Sequence, residues 1–175
     1  MPRLSVIICS CNTKNNAFNV TKILQRSEAQ GIRDCHRSKT VVFTNGCFDI
    51  LHVGHVRSLQ AARELGDVLV VGLNSDESVR AIKGAGRPFN PEADRAEVLA
   101  ALESVDYVVV FPESRVTRLL QEICPHIYAK GGDYTKETLE QEEVQALRAI
   151  GTRIEILPLV PGKSTTNLIH SIHER

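Results

Sequence analysis

The stretch Thr40-Val41-Val42-Phe43-Thr44-Asn45-Gly46-Cys47-Phe48-Asp49-Ile50-Leu51-His52-Val53-Gly54-His55 decides the fold. Its first five residues are β-branched or aromatic and run into Asn45-Gly46, as a buried strand feeding a tight turn does. From Val53 the spacing turns helical, with Val56, Leu59, Ala62 and Leu65 on one face and Gly66 in the C′ position.

Beyond that helix the same alternation repeats. Val68 to Leu73 reads as a second buried strand, and Asn90-Pro91-Glu92 opens a helix through Leu99 and Leu102, with Asn90 as its N-cap. Asp106 to Phe111 is the third strand, and residues 114–123 form a helix stopped by Pro125. His126 to Ala129 is the fourth strand, residues 136–150 a helix ending at Gly151, and Arg153 to Leu157 the fifth strand. Ser164 caps a last helix through Ile172. Five nearly continuous apolar strands alternating with helices predict an α/β fold, a doubly wound five-stranded parallel sheet of the Rossmann-like kind, with ligands at the strands' carboxyl ends.

Upstream, residues 1–21 lack periodicity and read as a tail or the product of an upstream start, residues 22–39 as a helical lead-in broken at Gly31, and residues 40–175 as the single functional domain. The run Leu4 to Cys9 is too short for a secretory h-region, and no apolar run approaches the ~20 residues a membrane-spanning helix needs. Five cysteines, odd in number and irregular in spacing, fit reduced thiols in the cytoplasm, and Cys9-x-Cys11 alone is a weak metal signal. Lys and Arg number 21 against 21 Asp and Glu, so the chain has no excess positive field for phosphate backbones, and neither nucleic acid nor membrane is expected as a partner.

Thr44 to His55, Lys130 to Tyr134 and Gly162 to Thr166 follow the first, fourth and fifth strands, so all three fall on one rim of the sheet. Gly46 leaves the turn's amides exposed, and the helix from Val53 directs its positive dipole end above the turn, a place suited to phosphate. His52 and His55, three apart, share one side of the first helical turn, with Gly54 leaving room for a ligand between them. Two histidines alone could be surface or capping side chains, and a zinc site would lack its third ligand. Asp49 either orients an imidazole or holds the turn through backbone amides. Lys83 and Arg87 lie among Gly84, Gly86 and Pro88 in a loop over the rim, where ligand contacts concentrate. Arg95, within a helix, either contacts a ligand or pairs with acidic neighbours such as those around Glu92 and Glu97. Lys130 could be a strand-end charge.

The pattern G-x-F-D-x-x-H-x-G-H from Gly46 to His55 resembles the nucleotidyltransferase superfamily, whose site is similar to that of class I tRNA synthetases. Lys83-Gly84-x-Gly86-Arg87-Pro88-x-Asn90-Pro91, Asp94 to Leu99, Lys130-Gly131-Gly132-Asp133-Tyr134 and Ser164-Thr165-Thr166 resemble its heptose 1-phosphate adenylyltransferase branch, so that the resemblance covers residues 40–172. It implies direct in-line attack of a sugar 1-phosphate on the α-phosphorus of ATP, releasing pyrophosphate, with Mg2+ bound to the triphosphate and no protein-held metal. His52, His55 and Lys83 would then be the catalytic residues. Thr44, Asn45, Gly46, Cys47, Phe48, Asp49 and Gly54 would cradle the nucleotide, Gly131, Gly132 and Asp133 would meet its ribose and base, and Ser164, Thr165 and Thr166 its outer phosphates. Arg87 and Arg95 would face the acceptor's phosphate and sugar. A homodimer is also implied. Relatives using CTP and glycerol 3-phosphate carry an arginine before Ser-Thr-Thr and a tryptophan after Gly-x-Asp. This chain has Leu159 to Lys163 and Tyr134 there, with an acidic run at Thr138 to Glu143. A CTP-dependent enzyme for a polyol phosphate and a non-catalytic nucleotide-binding module are the rival readings. The sequence has no room for a sugar kinase domain, so another protein would supply the sugar 1-phosphate.

Overall fold

A computed structural model describes residues 22–131, 139, 141–158 and 165. Its elements run β1 (Ile23–Leu24), α1 (Arg26–Ala29), α2 (Ile32–Cys35), β2 (Val41–Gly46), α3 (Val53–Glu64), β3 (Val68–Asn74), α4 (Asp76–Lys83), α5 (Glu92–Ala100), β4 (Tyr107–Phe111), α6 (Thr117–Ile123), β5 (Ile127–Lys130), α7 (Gln141–Ala149) and β6 (Arg153–Ile156). The six strands form one sheet in the order β1-β4-β3-β2-β5-β6, and every pairing is parallel.

Alternate residues of the central strands enter opposite layers, as the pleat demands. Val41 and Phe43 of β2 with Val68 and Val70 of β3 pack beneath Ala29 of α1, Ile32 of α2, Leu119, Leu120 and Ile123 of α6 and Leu147 of α7. Val42, Leu69, Val71 and Leu73 pack on the other side against Leu59 and Ala62 of α3 and Ala96, Leu99 and Ala100 of α5. All seven residues of β3 are buried, which explains its apolar run from Val68 to Leu73, and the one polar residue, Asn74, closes the strand. Each fully buried Phe, Leu or Val here contributes about 1.5–3 kcal/mol of transfer free energy.

Several expectations change. The sheet has six strands rather than five, because the lead-in at 22–39 is not wholly helical: Ile23–Leu24 pairs in parallel with Val108–Val109 at the sheet edge. Two residues are too few to show a period, and the strand is held by tertiary contacts, among them Lys22 Nζ donating to the carbonyls of Leu102 and Val105 at 3.2 and 2.7 Å. Helix α4 was not expected, although Ser75 caps it by accepting from the Ser78 amide and Asp76 and Glu77 fill its first turn. The N-cap of α5 is Pro91, not Asn90. Gly66 does stand in the C′ position of α3, one past the C-cap Leu65, and it is also required by close approach, since a Cβ there would stand 2.7 Å from the Thr40 carbonyl oxygen. The tail 1–21, the beginning of the 136–150 segment and the helix from Ser164 to Ile172 lie outside the described residues.

From β2 the chain steps to β3 and β4 in one direction, whereas β5 and β6 lie on the other side of β2. The order therefore reverses between β2 and β5, and a doubly wound sheet opens its ligand crevice there, at the strands' carboxyl ends.

Candidate functional site: the histidine pair and its polar frame

Strand β2 ends at Gly46, and the chain turns through Phe48, whose φ of 45° lies in the left-handed region. Gly46 lies close beneath the Phe48 ring, which a Cβ there would meet at 3.0 Å and push aside by a few tenths of an ångström. The ring in turn meets His55 edge-on, with centroids 5.3 Å apart. Phe48 thus links the end of the strand to the first turn of α3.

His52 is the extended N-cap of α3, and its Nδ1 accepts from the Gly54 amide at 3.1 Å. His55 reciprocates, its Nδ1 accepting from the His52 amide at 3.3 Å. The pair forms a capping box in which imidazoles take the places usually held by Ser or Thr and Glu. The consequence is electronic as well as structural. A ring that accepts at Nδ1 carries its proton on Nε2 when neutral, so both imidazoles are fixed as Nε2–H donors. Their centroids lie 3.9 Å apart at 30°. Burial above all, followed by the electrostatic influence of the neighbouring His52 and Lys83, pushes the His55 pKa down to about 4, so this ring is neutral at pH 7. A neutral Nε2–H ring has no lone pair on that atom for a metal.

Asp49 faces away from the imidazoles. Its carboxylate, 1% exposed, accepts from Arg87 at 2.7 Å and from the amides of Phe89 and Asn90 at 2.6 and 3.2 Å. Asn90 Nδ2 returns a bond to the Asp49 carbonyl at 2.6 Å. Burial opposes ionisation, but Arg87 and the two amides outweigh it and hold the carboxyl below its ordinary value. Of the two roles open to Asp49, its hydrogen bonds match the amide-holding one, directed at the 87–90 loop rather than at its own turn. Arg87 also stacks over Phe89, 4.2 Å from the ring centroid.

Arg95 is 3% exposed and spends four hydrogen bonds inside the protein: on the carbonyls of Asn90, Cys47 and Asn74 and on the Asp76 carboxylate. Its acidic partner is therefore Asp76 at 2.7 Å, not the Glu92 or Glu97 region of its own helix, and its guanidinium is turned into the protein rather than out toward an acceptor. Glu92 instead accepts from the Asp76 amide.

At the strand-order reversal, Asn45 Oδ1 accepts from Tyr128 Oη at 2.7 Å and from Lys130 Nζ at 3.3 Å, and Lys130 also donates to Tyr128 Oη at 2.8 Å. Glu143 on α7 stands 3.8 Å from the Lys130 ammonium. Burial lowers the Lys130 pKa, partly offset by Glu143. Lys130, for which a strand-end charge was one reading of the sequence, is thus a buried residue at the strand-order reversal, partnered by Asn45, Tyr128 and Glu143. Tyr128, Glu143 and Asp76 were missed altogether. The available signal was a charge closing an otherwise apolar strand, because a lysine buried that deeply requires partners.

Among the other predicted positions, Thr44 is buried within β2 and Gly54 within α3. Gly131 follows β5, with Ser58 of α3 3.6 Å from where its Cβ would stand. Lys83 is exposed on the last turn of α4, and its charge reaches both His55 and Cys47. Burial pushes the Cys47 thiol up, which keeps it protonated and a poor nucleophile. Thr165 is helical, while Gly132, Asp133, Ser164 and Thr166 lie outside the described residues. Among the described residues no group of three or more His, Cys, Asp or Glu could hold a metal ion. Asp49 is committed to Arg87 and to the amides of Phe89 and Asn90.

Comparison with known proteins adds a second line of evidence. A family model described as cytidylyltransferase-like matches residues 43–171. The bifunctional protein HldE of Syntrophotalea carbinolica is 55% identical over 139 residues, which are 79% of this chain and 28% of that protein. The chain thus spans between a quarter and a third of the length of that curated relative. Among solved structures, a lipopolysaccharide core biosynthesis protein of Thermoplasma volcanium is 28% identical with a TM-score of 0.57, covering 70% of this chain and 97% of that one. A pantoate-beta-alanine ligase of Francisella tularensis, at 17% identity and a TM-score of 0.56 over 87% of this chain and 79% of that one, shares the fold.

Proposed function

The chain belongs to the cytidylyltransferase-like family of nucleotidyltransferases, and we propose that it transfers AMP from ATP to a sugar 1-phosphate, D-glycero-D-manno-heptose 1-phosphate, giving ADP-heptose and pyrophosphate. The observation that carries this reading is the pair of neutral Nε2–H donors fixed at the N-terminus of α3. Identity to HldE supports the choice of acceptor.

In this reading a phosphate oxygen of the sugar attacks the α-phosphorus as the bond to the pyrophosphate oxygen breaks in line, and the pyrophosphate leaves with the electron pair of that bond. No covalent enzyme intermediate forms. The protein's contribution is positioning and charge neutralisation. His52 and His55 donate to the α-phosphoryl oxygens as charge develops there, each donor being worth about 3 kcal/mol in such a site. Because the His55 ring has a pKa of about 4, it donates without giving up its proton at pH 7. The amides from Asn45 to Phe48 and the dipole of α3 complete the anion cradle.

Lys83 neutralises the leaving pyrophosphate, and Arg87, anchored on Asp49 through one nitrogen, meets the acceptor's phosphate with its remaining donors. Arg95 acts as a positioning residue, tying Cys47 of the cradle to Asn74 and Asn90. Gly131, Gly132 and Asp133 serve the ribose and base, and Ser164, Thr165 and Thr166 the outer phosphates. A divalent cation, Mg2+ in this reading, would be held by the oxygens of the bound triphosphate and would supply charge neutralisation there. The cytoplasm is the compartment in which this reaction has its ATP, and a homodimer is the assembly the family resemblance implies.

The test is a matrix of ATP and CTP against heptose 1-phosphate, other sugar phosphates and glycerol 3-phosphate, scored by pyrophosphate release. Turnover with ATP and the heptose phosphate supports the reading. Turnover with CTP and glycerol 3-phosphate alone would overturn the substrate assignment, and nucleotide binding without any turnover would make the chain a binding module.

A further inference from the structure

Asn45 is the penultimate residue of the central strand and turns its side chain to Tyr128 and Lys130 of β5, at the place where the strand order reverses. A lysine ammonium and a tyrosine hydroxyl both contact the same side-chain atom of Asn45. An ammonium can only donate, so that atom is the oxygen, and the amide orientation is assigned by chemistry. With Oδ1 occupied twice, the NH2 group points the other way. Among the described residues it has no protein partner, and it is not among the buried unsatisfied atoms, so solvent reaches it.

Two donor hydrogens therefore stand at the mouth of the crevice, one residue before Gly46 and beside the buried Lys130 cation, a setting that favours an anionic acceptor. Strands β2 and β5 hold all three side chains on rigid backbone: Phe43 pairs with Tyr128 in register, and Tyr128 is fully buried. Building on the nucleotidyl-transfer reading, we propose that the Asn45 side-chain NH2 donates directly to a phosphoryl oxygen of the bound nucleoside triphosphate, with Tyr128 and Lys130 as the positioning residues that orient it.

The test is calorimetric titration of ATP and of inorganic tripolyphosphate into the full chain, with thermal melting as a control for folding. Asn45→Ala weakens both ligands about ten-fold, the size of one hydrogen bond to a charged group, at unchanged melting temperature. Asn45→Asp weakens them further, because it sets a carboxylate against phosphate. Tyr128→Phe weakens both about three-fold with Asn45 present and has no effect in the Asn45→Ala background, the non-additivity that distinguishes orientation of Asn45 from general support of the fold. Lys130→Met repeats the pattern, and if that variant fails to fold, the Tyr128→Phe cycle decides alone. Unchanged affinity in Asn45→Ala overturns the proposal, and a loss for ATP without one for tripolyphosphate overturns the phosphate assignment. Additive effects of Tyr128→Phe overturn its positioning role. Failure of the unaltered protein to bind either ligand would instead overturn the nucleotidyl-transfer reading beneath it.

Discussion

The segment from Gly46 to His55 contains two regions that use polar side chains in opposite ways. At its helical end, the Nδ1 atoms of His52 and His55 accept from backbone amides, which places the proton of each neutral ring on Nε2, the atom that the proposed function assigns to the nucleotide. At its strand end, Asp49 directs both carboxylate oxygens inward, and Cys47 offers its carbonyl to Arg95, so that the 87–90 loop and α5 are fastened beneath the turn. One half presents donors and the other consumes them. A single motif thus combines chemistry with framework, and mutations in the two halves should separate into losses of rate and losses of stability.

The largest separation is expected at Arg95. Arg95→Met strips the Asn90, Cys47 and Asn74 carbonyls and Asp76 of their partner and should destabilise the fold by about 3–5 kcal/mol, measured by urea unfolding. A change below about 1 kcal/mol would remove Arg95 from the framework. His55→Ala is the converse. Its pyrophosphate release should fall by roughly 100-fold, or about 2.7 kcal/mol of transition-state stabilisation, with little change in melting temperature. Rates close to the unaltered protein's would break the presenting half of the comparison.

A smaller effect, about 1–3 kcal/mol of stability, is expected for Asp49→Asn, which keeps the shape but gives up the charge facing Arg87. The pH dependence carries the sign. The Asp49 carboxyl is held below its ordinary value of 3.8, so its contribution is fully present above that pH and is lost as pH falls through the lower folded value. His55 behaves differently. Its folded pKa of about 4 lies below the ordinary 6.5, so the unfolded chain binds a proton that the folded ring refuses, and stability falls as pH drops from about 6.5 toward 4. Stability curves of the two variants should therefore diverge from that of the unaltered protein in separate pH windows.

Much of this organisation was legible in the sequence because it is local. The strands β2 and β3 are apolar except at their carboxyl ends, where Thr44, Asn45 and Asn74 stand, and the histidines and Gly46 stand at fixed short spacings, so their shared rim followed from strand order alone. What stayed hidden was pairing across the fold. Asp49 meets Arg87 38 positions on, Arg95 meets Asp76 19 positions back, and Lys130 meets Asn45 85 positions back, distances over which no spacing rule operates. Arg95 shows the cost of this. As an isolated cation on an acidic helix it resembles a ligand contact, and only its burial and partners show that four of its five donors are used inside the protein. The strand Ile23–Leu24 was missed for a related reason, being an edge element held by β4 and by Lys22 rather than by its own two residues.

The most direct test of the account is the tautomer of the histidine pair, read by nitrogen-15 NMR through the long-range couplings of the ring nitrogens across a pH titration. At pH 7 both rings should carry their proton on Nε2 with Nδ1 unprotonated, and His55 should stay neutral until pH approaches about 4. Protonated Nδ1 in either ring at neutral pH, or titration of His55 near 6.5, would contradict the assignment of these side chains as neutral donors facing the ligand.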